Sequence, residues 1–154
     1  MYLAIDPGGT TGLAFLSAEN VWVTSTASTP EELYDMISEE YKAIIIETFQ
    51  AQRISTYGLH TVRLVGGVEA LCYKLKIPLI KHMPTKRRPF QRQAELMLRS
   101  FIHVVHEEDA LAHLLTYLAL NDKTRMPEIR RDNVLGVPRF SAQGGVTGFT
   151  RIKV

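Results

Sequence analysis

Residues 4–15, AIDPGGTTGLAF, carry the strongest indication of the architecture of this chain. A short apolar run ends on Asp6, a turn of Pro7, Gly8 and Gly9 follows, and a second apolar run begins behind it. Aspartate, proline and glycine are ordinary turn residues, so the stretch is typical of a β-hairpin. A second interpretation is functional: Asp6 is a carboxylate exposed at a strand end. The small residues that follow it would let a charged group come close.

The hydrophobic pattern outside this stretch predicts three strands followed by alternating helices and strands. The three strands are predicted at residues 2–5, 13–16 and 21–26, and the later elements are a helix at 29–37, a strand at 43–47, a helix at 57–76, a strand within 77–84, and helices at 91–98 and 109–120. This order predicts an α/β fold, a mixed sheet of three antiparallel strands and then βα units, with helices on both faces. We expect one domain over residues 1–121 and a tail or appendage over residues 122–154.

Composition and charge favour a soluble globular protein. Of 154 residues, 45% are hydrophobic and 22% are charged, and the net charge is only +2. Cys72 is the single cysteine, which excludes an internal disulfide and a multi-cysteine zinc site. No apolar stretch has the length of a membrane helix, and the start MYLAID lacks the pattern of an export signal, so we expect a cytoplasmic protein without a membrane partner.

Basic residues concentrate in one segment, HMPTKRRPFQRQ at 82–93. Its cations, which could contact DNA phosphates, are Lys86, Arg87, Arg88 and Arg92. The alternative is a solvated charged face without a partner, since the mild net charge does not by itself announce nucleic acid.

Acidic residues stand where elements of the predicted sheet end. Asp6 and Glu47 each close a predicted strand, and His106 and Asp109 lie three residues apart at a helix start. The carboxyl ends of strands in open α/β sheets are where sites form. Clustered carboxylates repel each other unless a cation joins them, and Mg²⁺ prefers oxygen ligands. The pattern therefore predicts a divalent-metal site.

Each of these residues also has a structural explanation. Acids at a helix start are favoured by the helix dipole, and a lone histidine there is usually a capping or packed residue. Glu47 alone could simply begin a loop. His113 lies one turn beyond Asp109 and could face the same ions, but we interpret it as a helix residue with a local hydrogen bond. The joint order of strand-end Asp, strand-end Glu and helix-start pair favours the metal site.

Four segments resemble the RuvC-like Holliday-junction resolvases of the ribonuclease-H-like nuclease superfamily, in their compact bacterial or phage type. They are AIDPGGTTGLAF (4–15), IIIETF (44–49), RLVGGVEALCYKLKIPLI (63–80) and HEEDALAHLL (106–115). The resemblance implies a crossover junction endodeoxyribonuclease that acts in DNA recombination and DNA repair. It implies cleavage by paired symmetric nicks that leave a 5′-phosphate and a 3′-hydroxyl, and a homodimer that matches the symmetry of a four-way junction.

The same resemblance implies a site of Asp6, Glu47, His106 and Asp109 that holds two magnesium ions, with manganese as a substitute. Asp6 would bind both ions, Glu47 and Asp109 one each, and His106 would be a ligand or orient the attacking water. Phe49 lies near the position where some members stack an aromatic ring on junction bases. The protein would act in the cytoplasm of a bacterial cell or a phage-infected host.

Two other functions fit parts of the pattern. Actin-like ATPases and sugar kinases of the same superfamily have a similar first hairpin that grips phosphate, but they need a second lobe and a second glycine-rich loop. A non-catalytic junction-binding protein is the other alternative, and the presence of all four ligand residues argues against it.

Overall fold

A six-stranded mixed sheet forms the centre of the protein, in the order β5-β4-β1-β2-β3-β6. The computed structural model describes residues 1–48, 56–99, 101, 103–127 and 150–152, and of 56–58 and 150–152 the backbone alone. The strands are β1 (Tyr2–Asp6), β2 (Thr11–Leu16), β3 (Trp22–Ala27), β4 (Ala43–Glu47), β5 (Leu79–His82) and β6 (Thr150–Ile152). The helices are α1 (Pro30–Asp35), α2 (Thr56–Leu75), α3 (Gln91–Leu98) and α4 (Val105–Asn121).

The first three strands form the predicted antiparallel meander. Asp6 pairs with Gly12 across the first turn, and β3 lies antiparallel to the other side of β2. On the opposite side of β1, strands β4 and β5 are added in parallel. These two βα units confirm the predicted mixed sheet.

Helices cover both faces of the sheet, as predicted. Alternate residues of β1 point to opposite sides, so Tyr2 and Ala4 pack towards α3 and α4 while Leu3 and Ile5 pack towards α1 and α2. The run at 44–46 is fully buried because both of its faces are covered by helices. The core on the α4 side is the one that borders the acidic strand ends.

Local sequence signals act at the helix ends and inside α2. The backbone amide of Glu32 donates to Oγ1 of Thr29 at 3.2 Å, which caps α1. A side chain at Gly67 in α2 would collide with the ring of Tyr34, whereas Gly66 faces open space. Both glycines lower the helix propensity of α2, but only Gly67 allows a close approach of α1.

The segment after residue 121 contributes to the sheet. Strand β6 pairs antiparallel with β3, and the hydroxyl of Tyr2 donates to Oδ2 of Asp122 at 2.8 Å. The division at residues 121 and 122 stays a prediction. Within the described ranges, none of the helices combines the length and apolar character that a membrane crossing needs.

Candidate metal centre

Strand alternation brings three polar side chains to one edge of the sheet. Side chains two residues apart on a strand point to the same face, so Asp6 shares a face with Ala4 on β1 and Glu47 shares one with Ile45 on β4. His82 is oriented in the same way at the end of β5. All three therefore point to the face that α4 covers. Glu47 is the neighbour of His82 in the parallel register, and β1 lies on the other side of β4.

Helix α4 presents a matching stripe of side chains. His106, Asp109 and His113 follow the i, i+3, i+7 spacing of one helix face, and this face meets the strand ends. A Cβ atom at Gly12 would collide with the carbonyl of His106, and one at Gly8 would lie 2.6 Å from the imidazole Cε1. The first hairpin thus receives the start of α4 because it lacks side chains at these two positions.

This finding corrects two expectations about the first turn. Gly8 makes room for the protein's own His106 rather than for an approaching charged group, as Gly12 does beyond the turn, while Gly9 has no neighbouring atoms within 4 Å. Asp6 stands at a strand end as predicted, but it is buried, with 3% of its surface exposed. Its carboxylate is an internal group of the centre and not a surface acid.

Asp6 and His106 form one contact of the centre. Nδ1 of His106 lies 2.6 Å from Oδ2 of Asp6. Burial raises the pKa of Asp6 to about 6, the hydrogen bond with His106 opposes this shift, and the charges of Glu47 and Asp109 add to it. Asp6 is therefore a carboxylate whose negative charge the protein compensates incompletely.

Glu47 and its partners form the other part. Its Oε2 accepts a hydrogen bond from Nη1 of Arg87 at 2.6 Å and lies 2.7 Å from Nε2 of His113. Burial acts to raise the pKa of Glu47, but the hydrogen bond of His113 and the charge of Arg87 outweigh it, so the pKa lies below its usual value. The negative charge of Glu47 is thus stabilised within the protein.

Arg87 also connects Glu47 to Asp109, since its Nε lies 3.0 Å from Oδ1 of Asp109. The same oxygen accepts a hydrogen bond from Nε2 of Gln91 at 2.8 Å, and that amide also donates to Glu108. A protein cation therefore already joins two of the clustered carboxylates that the sequence led us to expect around a metal ion. One guanidinium lies between two of them.

The donor atoms form two adjacent groups, each of which could hold a metal ion. Asp6, Glu47 and His113 form one group with ligand atoms within 4.8 Å of one another, and Asp6, His106 and Asp109 form a second. Each carboxylate has two oxygens, so it can keep the contacts above and still offer an oxygen to an ion. Carboxylate oxygens with an imidazole nitrogen suit Mg²⁺ or Mn²⁺.

The structure brings together the four residues predicted as ligands and adds three others. Asp6, Glu47, His106 and Asp109 converge, and Arg87, His113 and His82 join them. The spacing along α4 indicated that His113 could face the same ions, but the interpretation chosen, a helix residue with a local hydrogen bond, is wrong, because its ring nitrogens face Glu47 and His82. Arg87, expected to contact DNA, points into the centre with 26% of its side chain exposed. The pairing of Arg87 with Glu47 depends on tertiary structure, and no local sequence pattern predicts it.

The remaining predicted DNA contacts lie outside the centre. Lys86 and Arg88 are exposed, in the 3₁₀ helix Pro84–Phe90, and Arg92 is exposed at the start of α3, 2.6 Å from Glu95. Phe49 lies outside the described residues. A role of these residues in DNA binding stays a prediction.

Comparisons with known proteins show the fold. No protein-family model matches the chain, and no curated protein matches its sequence. Among solved structures, Thermus thermophilus RuvC in complex with Holliday junction substrate is similar with a TM-score of 0.57 and 17% identity, over 78% of this chain and 95% of that chain. A second Thermus thermophilus RuvC structure gives a TM-score of 0.56 and 16% identity, over 77% and 95% of the two chains. This chain therefore has the RuvC-like, ribonuclease-H-like fold that its sequence predicts.

Proposed function

We propose that this protein is a divalent-metal-dependent endonuclease that resolves four-way DNA junctions by paired nicks. The observation that carries the proposal is the convergence of Asp6, Glu47, His106 and Asp109 into two adjacent ligand groups that share Asp6. The similarity to a RuvC structure that contains Holliday junction substrate supports the choice of DNA. The same fold can host other chemistry, so the ligand groups and not the fold carry the argument.

In this proposal each of the two ligand groups would hold one ion. Asp6 would contribute to both, Glu47 to one, and Asp109 with His106 to the other. Two divalent ions bound there would activate a water for attack on a phosphodiester and stabilise the leaving oxygen, giving a 5′-phosphate and a 3′-hydroxyl. Mg²⁺ is the expected ion and Mn²⁺ the expected substitute, because oxygen ligands predominate.

The chain's own groups prepare the centre for a phosphate. Burial of Asp6 and Asp109 excludes bulk water, which strengthens the electrostatic interactions among the charged groups. The N-terminus of the 17-residue helix α4 lies at the centre, and its backbone dipole favours an anion. Arg87 places a fixed positive charge between Glu47 and Asp109, where it also balances the acids before an ion or DNA arrives.

Binding of the junction would depend on phosphates more than on base edges. The exposed cations Lys86, Arg88 and Arg92 supply charge beside the centre, and we expect the affinity to fall steeply with salt. A homodimer would place two centres on a substrate with pseudo-two-fold symmetry. Equilibrium sedimentation of the protein with and without junction measures this state.

The decisive experiment is a cleavage assay on a synthetic four-way junction beside a linear duplex of the same sequence. With Mg²⁺ we expect paired symmetric nicks in two strands of like polarity and little cleavage of the duplex. With a chelator we expect no cleavage of either. Ligation of the products would show the 5′-phosphate and 3′-hydroxyl ends. ATP hydrolysis without any nicking would instead support the kinase-like alternative.

Asp6→Asn is the matched test of the centre in this assay. We expect it to lose nicking and to retain junction binding, because the lost charge serves the ions rather than the contact with DNA. Asp35→Asn changes an exposed acid at the end of α1 and should leave both unchanged. A fully active Asp6→Asn protein would contradict the proposed mechanism.

A further inference from the structure

A pair of buried histidines lies behind Glu47. We propose that His113 is a ligand of the ion beside Glu47, and that His82 is a positioning residue that holds His113 in the tautomer required for ligation. The proposal rests on the proposed function, because it adds residues to the same metal centre. It concerns which atoms of the chain hold the ion and not whether DNA is cut.

The first support is the orientation of His113. The side chain is fully buried, yet both of its ring nitrogens face polar atoms. Nε2 lies 2.7 Å from Oε2 of Glu47, and Nδ1 lies 3.2 Å from Nδ1 of His82. A buried imidazole needs one partner for its N–H and one for its acceptor nitrogen, and most side-chain hydrogen bonds are to backbone groups or water. Here the imidazole instead points into the group formed with Asp6 and Glu47.

The second support is the proton count of the pair. A neutral imidazole has one N–H donor and one acceptor nitrogen. Between two Nδ1 atoms one must donate and the other accept, so the pair has two self-consistent arrangements. In the first, His82 donates from Nδ1 to His113, and His113 carries its proton on Nε2, facing Glu47.

The second arrangement is the one that can bind an ion. His113 carries its proton on Nδ1 and donates it to Nδ1 of His82, whose own proton is then on Nε2. This leaves the lone pair of His113 Nε2 directed towards Asp6 and Glu47. Both arrangements contain two protons on two neutral rings, so ligation requires no net change of charge in the pair. A histidine ligand commonly donates its other N–H to a carboxylate, a backbone carbonyl or water, which fixes its tautomer and ring orientation, and here Nδ1 of His82 would be the acceptor.

The side chain and the backbone of His82 have separable tasks. The backbone carbonyl accepts from the amide of Thr48 at 2.7 Å, which fixes the chain immediately after Glu47. The hydrogen bond with His113 is made by the side chain. Substitutions of the His82 side chain therefore test the tautomer argument while this backbone contact is kept.

The first experiment measures nitrogen coupling to bound Mn²⁺ by electron spin echo envelope modulation, without DNA. His106 and His113 are the two candidate nitrogen ligands, so His106→Ala isolates His113. We expect His106→Ala to keep an imidazole ¹⁴N modulation and His106→Ala/His113→Leu to lose it. Bound Mn²⁺ without this modulation in His106→Ala would overturn the proposal.

If His106→Ala no longer binds Mn²⁺, the single variant His113→Leu provides the test instead. The number of distinct ¹⁴N couplings should then fall from two in the native protein to one in His113→Leu. An unchanged pair of couplings would overturn the proposal. His60→Leu, at an exposed position of α2, is the matched control and should leave the spectrum unchanged.

The second experiment tests His82 by calorimetric titration of Mn²⁺ into the DNA-free protein. His82→Phe keeps an aromatic ring but removes the acceptor, and we expect the affinity of one ion to fall by about 10–100-fold. His82→Gln offers a carboxamide oxygen that can accept the proton of Nδ1, and it should recover most of this loss. Equal losses in both variants would mean a packing role, and no loss in His82→Phe would remove His82 from the centre.

These measurements separate the inference from the proposed function. If the native protein binds no divalent ion, the metal-dependent nuclease is wrong and the inference falls with it. If ions bind and junctions are nicked, but His113 gives no nitrogen coupling, only the inference is wrong. Circular dichroism and the melting temperature of each variant identify a loss that is due to misfolding.

Discussion

The two ends of the acidic centre are built differently. At the Asp6 end, the imidazole of His106 has 40% of its side chain exposed and rests against glycine backbone. At the Glu47 end, the His113 side chain has no exposed surface, and Arg87 closes the other side. We call the first end open because its imidazole is exposed to solvent, and the second end closed because its imidazole is enclosed by the protein.

The difference between the two ends shows which carboxylate has its negative charge least compensated by the protein. The pKa of Asp6 is raised by burial, whereas the pKa of Glu47 is lowered by His113 and Arg87 despite its burial. Neighbouring carboxyls pushed in opposite directions are typical of functional sites. Asp6 is therefore the carboxylate with the greatest need of a bound cation, and Glu47 is already prepared to ligate as an anion.

The largest expected effect is on the cleavage rate, and it distinguishes Asp6, which belongs to both ligand groups, from Glu47, which belongs to one. Asp6→Asn weakens both ligand groups, so we expect its junction-nicking rate to fall by about 10³-fold or more. Glu47→Gln weakens one group, and its fall should be smaller by about tenfold. Single-turnover cleavage at saturating enzyme measures both, and equal losses would show that the two ends do not act as separate ion positions.

The glycines of the open end come next. In Gly12→Ala the new methyl group would collide with the backbone carbonyl of His106, which cannot move without displacing α4. We expect the free energy of unfolding to fall by about 3 kcal/mol, the upper part of the range for overpacking. Gly9→Ala, with no neighbouring atoms within 4 Å, should change it by less than about 0.5 kcal/mol. Chemical denaturation provides the comparison, and similar stabilities would contradict the close fit of hairpin and helix.

The sequence predicts more of the open end than of the closed end. A short apolar strand, a turn with glycines and a β-branched run ending in Glu47 predict a mixed sheet, and the structure confirms it. Parallel strands end at the same edge, so the proximity of Asp6 and Glu47 follows from chain order and alternation alone. That Gly8 and Gly12 serve His106 does not follow from the hairpin sequence, because the contact is with a helix about a hundred residues later.

The closed end depends on register and on an irregular segment. His82 reaches His113 because β5 pairs with β4 so that His82 lies beside Glu47, and hydrophobic periodicity does not determine such a register. Arg87 reaches Glu47 from a 3₁₀ helix within a segment that reads only as a run of basic residues. For His113 the spacing from His106 and Asp109 was available, but the hydrophobic helix around it favoured the structural interpretation.

A smaller effect concerns the pH dependence of the metal-free protein. The pKa of Asp6 is about 6 in the folded protein, against an ordinary value of 3.8 for an aspartate. A carboxyl with a raised folded pKa is most compatible with folding when protonated, so native stability is lost as pH rises from about 4 through 6. Asp6→Asn lacks this titration. Its stability relative to the native protein should therefore increase by about 2 kcal/mol between pH 4 and pH 7, measured by denaturation in chelator.

Saturating Mg²⁺ provides the control for this pH dependence. An ion bound at neutral pH favours the ionised form of Asp6, so the advantage of Asp6→Asn should disappear. A pH-independent difference between the two proteins in chelator would show that the carboxylate is compensated in the folded state.

The smallest expected effect tests the guanidinium of the closed end. Arg87→Met removes a cation that lies 2.6 Å from Glu47 and 3.0 Å from Asp109, and it leaves two partly buried acids facing each other. We expect the metal-free protein to lose about 1–2 kcal/mol, a value reduced from that of a buried pair because part of the side chain contacts solvent. Arg92→Met is the matched control: its pair with Glu95 has both side chains exposed, and the loss should be below about 0.5 kcal/mol.

Mg²⁺ distinguishes two roles of Arg87 in the same variants. If the guanidinium only balances charge, a bound ion replaces it, and Mg²⁺ should raise the melting temperature of Arg87→Met by more than it raises that of the native protein. If the guanidinium instead holds Glu47 and Asp109 in the geometry that the ion needs, the gain should be smaller in the variant. We expect the larger gain, because His113, Gln91 and the strand backbone already orient the two carboxylates. The opposite result would mean that Arg87 organises the closed end.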